Sequence, residues 1–154
     1  MMDDGKKVDV LLTALAERYS VLRVIRERVQ NVALTAIGLM LGASGWLIQS
    51  DAVFSCKEKV AAVAGILAAT AILRFMYLAD LKAGFQSQQR VAAKLEEALG
   101  LFEPGALSSQ TAPMYPPEWA LAGTEVGSGG FFRTMHTMIY VGAIFLIVAT
   151  VFAA

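Results

Sequence analysis

The stretch VALTAIGLMLGASGWLI, residues 32–48, contains no charged side chain. Two others resemble it: VAAVAGILAATAILRFMYLA at 60–79 and TMIYVGAIFLIVATVFAA at 137–154. Each has the length a helix needs to cross a hydrocarbon layer about 30 Å thick at about 1.5 Å per residue. In lipid the backbone must satisfy its own hydrogen bonds, so all three spans are expected to be helical.

The rest of the composition agrees. Of 154 residues, 56% are hydrophobic and 17% charged, with mean hydropathy +0.57 and zero net charge. Soluble domains average about 25% charged residues. A balanced charge gives no global basic field to attract nucleic acid in bulk. With about 55 residues in lipid, what remains is too short for a large soluble core, so a separate enzyme domain is not expected. Cys56 is the only cysteine and His136 the only histidine, which excludes an intrachain disulfide and a Cys/His metal cluster. The polar start, Met1–Val8, does not read as a signal peptide.

Basic residues set the expected topology. Lys6, Lys7, Arg18, Arg23, Arg26 and Arg28 precede the first span, while the link at 50–59 has only Lys57 and Lys59. Lys82, Arg90, Lys94 and Arg133 follow the second span. Lys and Arg accumulate on cytoplasmic loops, so the N-terminus and residues 80–133 are expected inside and the C-terminus outside. Cys56 then faces the outer side, as a free thiol or as a cysteine that pairs with another chain.

The flanks are patterned too. Val8, Leu11, Leu12, Leu15, Tyr19, Leu22, Ile25 and Val29 recur at helical spacing, and no Gly or Pro interrupts the chain between Gly5 and Gly38. Leu81, Phe85, Gln88, Ala92, Leu95 and Leu99 form a heptad seam that stops at Gly100. The expected fold class is an all-α integral membrane protein. It has three transmembrane helices, the first two extended into a cytoplasmic antiparallel helical hairpin; the two cytoplasmic arms pair as a coiled coil, and residues 1–100 make up the whole long hairpin. The alternative for the N-terminal arm is an interfacial helix lying on the lipid. Residues 101–130 form a Pro/Gly-rich loop with Pro104, Pro113, Pro116 and Pro117, and 131–154 holds the third span. Gly123, Gly127, Gly129 and Gly130 make the end of this loop flexible, residues 127–130 read as a tether, and span three reads as a separate addition.

Within the spans, Gly38, Gly42 and Gly45 on the first and Ala61, Gly65 and Ala68 on the second are small residues that let helices approach closely, within one chain or between chains. Arg74 is the only charge inside a span. It snorkels, pairs with Asp80, or serves a gate. Arg18, Arg23, Arg26 and Arg28 are candidate contacts for an anionic ligand or for lipid headgroups. Tyr115 and Trp119, in the stiff segment 114–119, are candidates for docking, with packing on the chain itself as the alternative. Glu96 and Glu97 read as a solvated helix face, since neighbours in sequence diverge on a helix. No phosphate loop, zinc motif or catalytic triad is present, so neither enzyme activity nor a cofactor is expected.

One resemblance goes further. Arg18-Tyr19 and Leu22 precede the first span. Tyr77-Leu78, Leu81, Phe85, Val91 and Leu95-Glu96 follow the second, and Tyr115 and Glu118-Trp119 lie in the loop. In this layout, residues 8–120 resemble the SLATT group of small bacterial membrane effectors; the third span departs from its two-span core. The resemblance implies a pore-forming or membrane-disrupting effector of an antiphage or conflict system, often encoded beside a signal-generating enzyme. The expected partners are the membrane, further copies of the chain (a tetramer or larger) and a cytoplasmic signal, whether nucleotide, oligonucleotide or protein. The competing expectation is a non-catalytic scaffold that recruits a soluble partner through its cytoplasmic helices.

Overall fold

A computed structural model describes residues 4–50, 53–105, 112–124 and 130–153. Glu125, Gly127, Ser128, Gly129 and Ala154 lie outside the described residues. The described chain is all helical, with no strand in it. Three of its helical runs are long and apolar enough to cross a membrane.

Helix α1 runs without a break from Asp4 to Gln49. Its continuity follows from the absence of helix breakers, so the amphipathic arm and the first apolar span are one element. Helix α2, Cys56–Ile72, begins with a reciprocal cap. The Ser55 hydroxyl accepts from the Glu58 N–H at 3.4 Å, and the Glu58 carboxylate accepts from the Ser55 N–H at 2.8 Å. This satisfies two of the N–H groups that a helix start leaves open. The Ser55 N–H, and then the Ser55 hydroxyl donating to the same carboxylate at 2.8 Å, hold the Glu58 carboxyl below its ordinary range.

Beyond α2 the helix loosens into a π-helical segment, Leu73–Leu78, before continuing as α3, Ala79–Ala98. The Ala79 N–H reaches back five residues to the Arg74 carbonyl. The extra residue has a packing consequence. At about 100° per residue, Leu78 in an unbroken α-helix would stand roughly 120° from Ile66. One inserted residue brings it back to within roughly 20°. Leu78 is completely buried, on the same face as Thr70.

Helix α3 ends as the sequence indicates. Gly100 takes a φ of 73°, the Leu101 N–H donates to the Glu96 carbonyl at 3.1 Å, and the Gly100 N–H donates to Glu97 at 2.9 Å. These two bonds are a Schellman closure. The following segment includes a short 3₁₀ turn, Pro117–Leu121, started by a proline whose missing N–H costs nothing there. Helix α4 spans Phe131–Phe152.

The chain falls into two compact units. The arm unit comprises residues 1–26 and 82–129, and the span unit comprises 27–81 and 130–154. In the arm unit Leu15, Ala92, Ala93 and Leu101 are buried. In the span unit Val29, Ala33, Leu78, Ile139, Ala143 and Ala149 form the core.

Span three is not a separate addition within the span unit. Helix α4 packs against α2, and Gly142 lets it approach α1, where an added Cβ would stand 3.2 Å from the Met40 sulfur. Lys59 closes the far end of α4: its Nζ donates to the carbonyls of Val151 at 3.2 Å and Ala153 at 2.6 Å. A cation on the last carbonyls of a helix meets the negative end of its dipole.

Candidate functional site

Two regions carry the candidate residues, one in each unit. In the span unit α1 has two distinct faces. Val29, Ala33 and Ser44 are buried on one. Gly38 and Gly42 are exposed on the other, and an added Cβ would meet nothing within 4 Å at either. Gly45 is half-buried and equally open. The line continues at three- and four-residue steps to Asn31 and Thr35 in one direction and Gln49 in the other, all exposed. The glycines stand out in the sequence; that Asn31 and Thr35 lie on the same line does not. Counting the spacing outward from Gly38 would have found it.

Helix α2 repeats the pattern. Ala61, Gly65 and Ala68 are exposed, and Gly65 has open space where a Cβ would stand. The small residues anticipated as packing faces therefore lie outside the packing that α4 makes through Gly142. Three hydroxyls in the spans are satisfied by their own helix. Ser44 donates to the Met40 carbonyl at 2.6 Å, Thr70 to Ile66 at 2.7 Å and Thr150 to Leu146 at 2.8 Å. Hydroxyls bonded this way carry little cost in lipid.

Arg74 sits within the π-helical segment. Its guanidinium lies 4.9 Å from the Phe75 ring centroid and 5.1 Å from that of Tyr140 on α4. Such cation–π contacts are worth about 0.5–2 kcal/mol each, the more so away from water. Arg74, Thr70 and Tyr140 line a groove of about 260 Å³ between α2 and α4, otherwise walled by apolar side chains such as Leu67 and Ile147. The π-helical segment left no trace in the sequence, because no Gly or Pro marks it. The lone arginine in an apolar run was the only hint of something unusual there.

Of the four candidate arginines of α1, Arg18, Arg23 and Arg26 belong to the arm unit and Arg28 to the span unit. The Arg18 guanidinium donates to the Gln88 side chain at 3.0 Å. Arg23, Arg26 and Arg28 are exposed, and Arg23 and Arg26 have interactions of their own. At about 100° per residue the four arginines are spread around α1 rather than gathered on one face.

Glu96 corrects the sequence reading. It is not solvated but 5% exposed, and the Tyr19 hydroxyl donates to its Oε1. Burial first, and then this bond and the nearby carboxyl, push the Tyr19 phenol well above its ordinary value; Tyr115 adds to the shift. An apolar periodicity count cannot see such a pair, since it scores Tyr19 as hydrophobic and Glu96 as polar. Gly123 is a second correction. It is a close-packed glycine, not part of a flexible loop end. Its φ is +81°, and an added Cβ would strike the Gln86 carbonyl and stand 2.9 Å from the Arg90 backbone nitrogen. Its own carbonyl accepts from Arg90 Nε at 2.9 Å.

These contacts seat the loop on α3. Tyr115 donates its N–H to the Leu101 carbonyl at 3.1 Å, and its ring meets Phe102 at 6.1 Å and Trp119 at 5.3 Å. Tyr115 and Trp119 thus pack within their own unit, with Trp119 still 54% exposed. Among the described residues, no three His, Cys, Asp or Glu side chains gather as a metal site. No protein-family model, curated protein or solved structure matches the chain.

Proposed function

We propose that the chain is a homo-oligomeric membrane effector or channel of the cytoplasmic membrane, acting without catalysis. The reading places the N-terminus and the arm unit inside and the C-terminus outside, following the Lys/Arg distribution. The single observation that carries it is the open small-residue face of the span unit, with room at Gly38, Gly42 and Gly65. Lipid gives no hydrophobic gain for helix association, so helices in a bilayer associate where small residues let their backbones approach. Copies of the chain meeting on these faces form a ring of four or more. The arm unit receives the signal, a nucleotide, oligonucleotide or protein. Arg74, held on two aromatic rings at the groove between α2 and α4, is the candidate gate charge. The resemblance to small bacterial effectors points to antiphage or conflict defence.

The test combines assembly with leak. Wild type is expected to purify as a tetramer or larger and to depolarise cells when its trigger is present. Gly42→Leu is expected to fold yet lose both properties. A monomer in detergent and in bilayers, with liposomes that stay tight, overturns the reading. A second reading, a scaffold that recruits a soluble partner, draws on the exposed Met114, Trp119 and Leu121 of the arm unit. It predicts stoichiometric capture of one partner without any leak.

A further inference from the structure

The arm unit contains a pocket of about 310 Å³, near the lower end of the range for small-molecule sites. Its lining includes Tyr19, Gln89, Ala92, Glu96, Glu118 and Trp119. No lysine, arginine or histidine lines it. Two carboxyls and two aromatic rings therefore share one cavity.

Each part of this arrangement favours positive charge. The Glu96 carboxyl is 5% exposed, and Tyr19 supplies a hydrogen bond to one of its oxygens. A carboxylate offers about four acceptor sites, so Glu96 has acceptor capacity beyond that bond. A carboxylate withdrawn from water is costly unless it is paired. Glu118 is exposed and adds a second negative group where the pocket meets solvent. The Trp119 ring presents an electron-rich face and is braced against Tyr115 at 5.3 Å. Aromatic faces attract cations, and indole does so best. Ala92 and Ala93 keep the wall on the α3 side shallow and apolar, which leaves room for a compact hydrocarbon body. An anion would meet both carboxyls with no basic side chain in the lining to offset them.

We propose that this pocket binds a small organic cation, an ammonium or quaternary ammonium group on a compact apolar body. Its charge is satisfied by Glu96 and Glu118, and its body rests on Trp119. The inference stands apart from the channel reading, because binding is measured on the protein whether or not it conducts.

The experiment uses the full chain in detergent with Trp46→Phe, which leaves Trp119 as the only tryptophan. Choline and benzylammonium are the probes, each titrated beside a neutral analogue of the same shape, 3,3-dimethylbutan-1-ol and benzyl alcohol. A saturable change in Trp119 emission is expected with the cations, and at least about tenfold weaker binding of the alcohols. Glu118→Gln, at an exposed position, is expected to weaken cation binding by about tenfold while leaving the circular dichroism unchanged. Glu96→Gln tests the buried carboxyl in the same assay. The proposal is overturned if neither cation gives a saturable response, if cation and alcohol bind alike, or if inorganic phosphate displaces the cation by occupying the site itself.

Discussion

Gly42 and Gly123 are the same residue under opposite constraints. At Gly123 in the arm unit, a methyl group would strike the α3 backbone, and φ lies at +81°. At Gly42 in the span unit, a methyl group would meet nothing. The first glycine is consumed by its own chain's packing; the second is left over by it. Small residues in a membrane helix are commonly read as contacts, but here the contact within the chain goes through Gly142, while Gly38, Gly42 and Gly65 are spare. The arm unit closes on itself, and the span unit leaves a face for something else.

Substitutions test that contrast. The largest effect is expected from Gly123→Ala. The left-handed backbone and the collision with Gln86 and Arg90 together cost at least about 3 kcal/mol. Hydrogen exchange in α3 and the 112–124 segment should rise sharply. Wild-type protection in the variant would show that the segment does not need its close seat.

Tyr19→Phe comes next, at about 1–2 kcal/mol, because it leaves the buried Glu96 carboxyl without its donor. The sign of the pH dependence follows from the raised phenol. The folded form holds the proton more tightly than the unfolded form, so the contribution is complete below the ordinary tyrosine value of about 10. It is lost as pH rises through the folded value. Thermal melts from pH 7 to 11 should therefore fall more steeply above pH 10 for wild type than for Tyr19→Phe; parallel curves would count against the pair.

Lys59→Met removes the cation from the end of α4 and should cost about 0.5–1 kcal/mol, read as faster exchange at Val151 and Phe152. Gly42→Ala is expected to be smallest for the isolated fold, within about 0.5 kcal/mol or slightly stabilising, since alanine is the better helix former. A large loss of fold stability in the monomer would mean that the Gly42 face is already occupied within the chain.

How much could be read beforehand depended on the kind of signal. The three spans, the unbroken α1 and the stop at Gly100 follow from apolar length and from the placement of Gly and Pro, which act locally. The Glu96–Tyr19 pair and the Arg90–Gly123 contact join residues 77 and 33 positions apart, so local pattern is silent about them. Lys59 looked like an ordinary link charge because its acceptors lie more than 90 residues away. The π-helical segment is invisible for a different reason. It is a choice of hydrogen-bond partner, the Ala79 N–H to the Arg74 carbonyl, and it goes with the complete burial of Leu78, a contact that local pattern does not record.

That segment also makes the second span tolerant of length change at one place. Deleting a single residue between Leu73 and Leu78 converts the wide turn to an ordinary one and keeps every later side chain on its present azimuth. The same deletion a turn earlier, between Ile66 and Ile72, has no such slack and rotates part of the packing face of α2 by about 100°. Natural variation in length, if this helix admits any, has one place to occur without unseating Leu78.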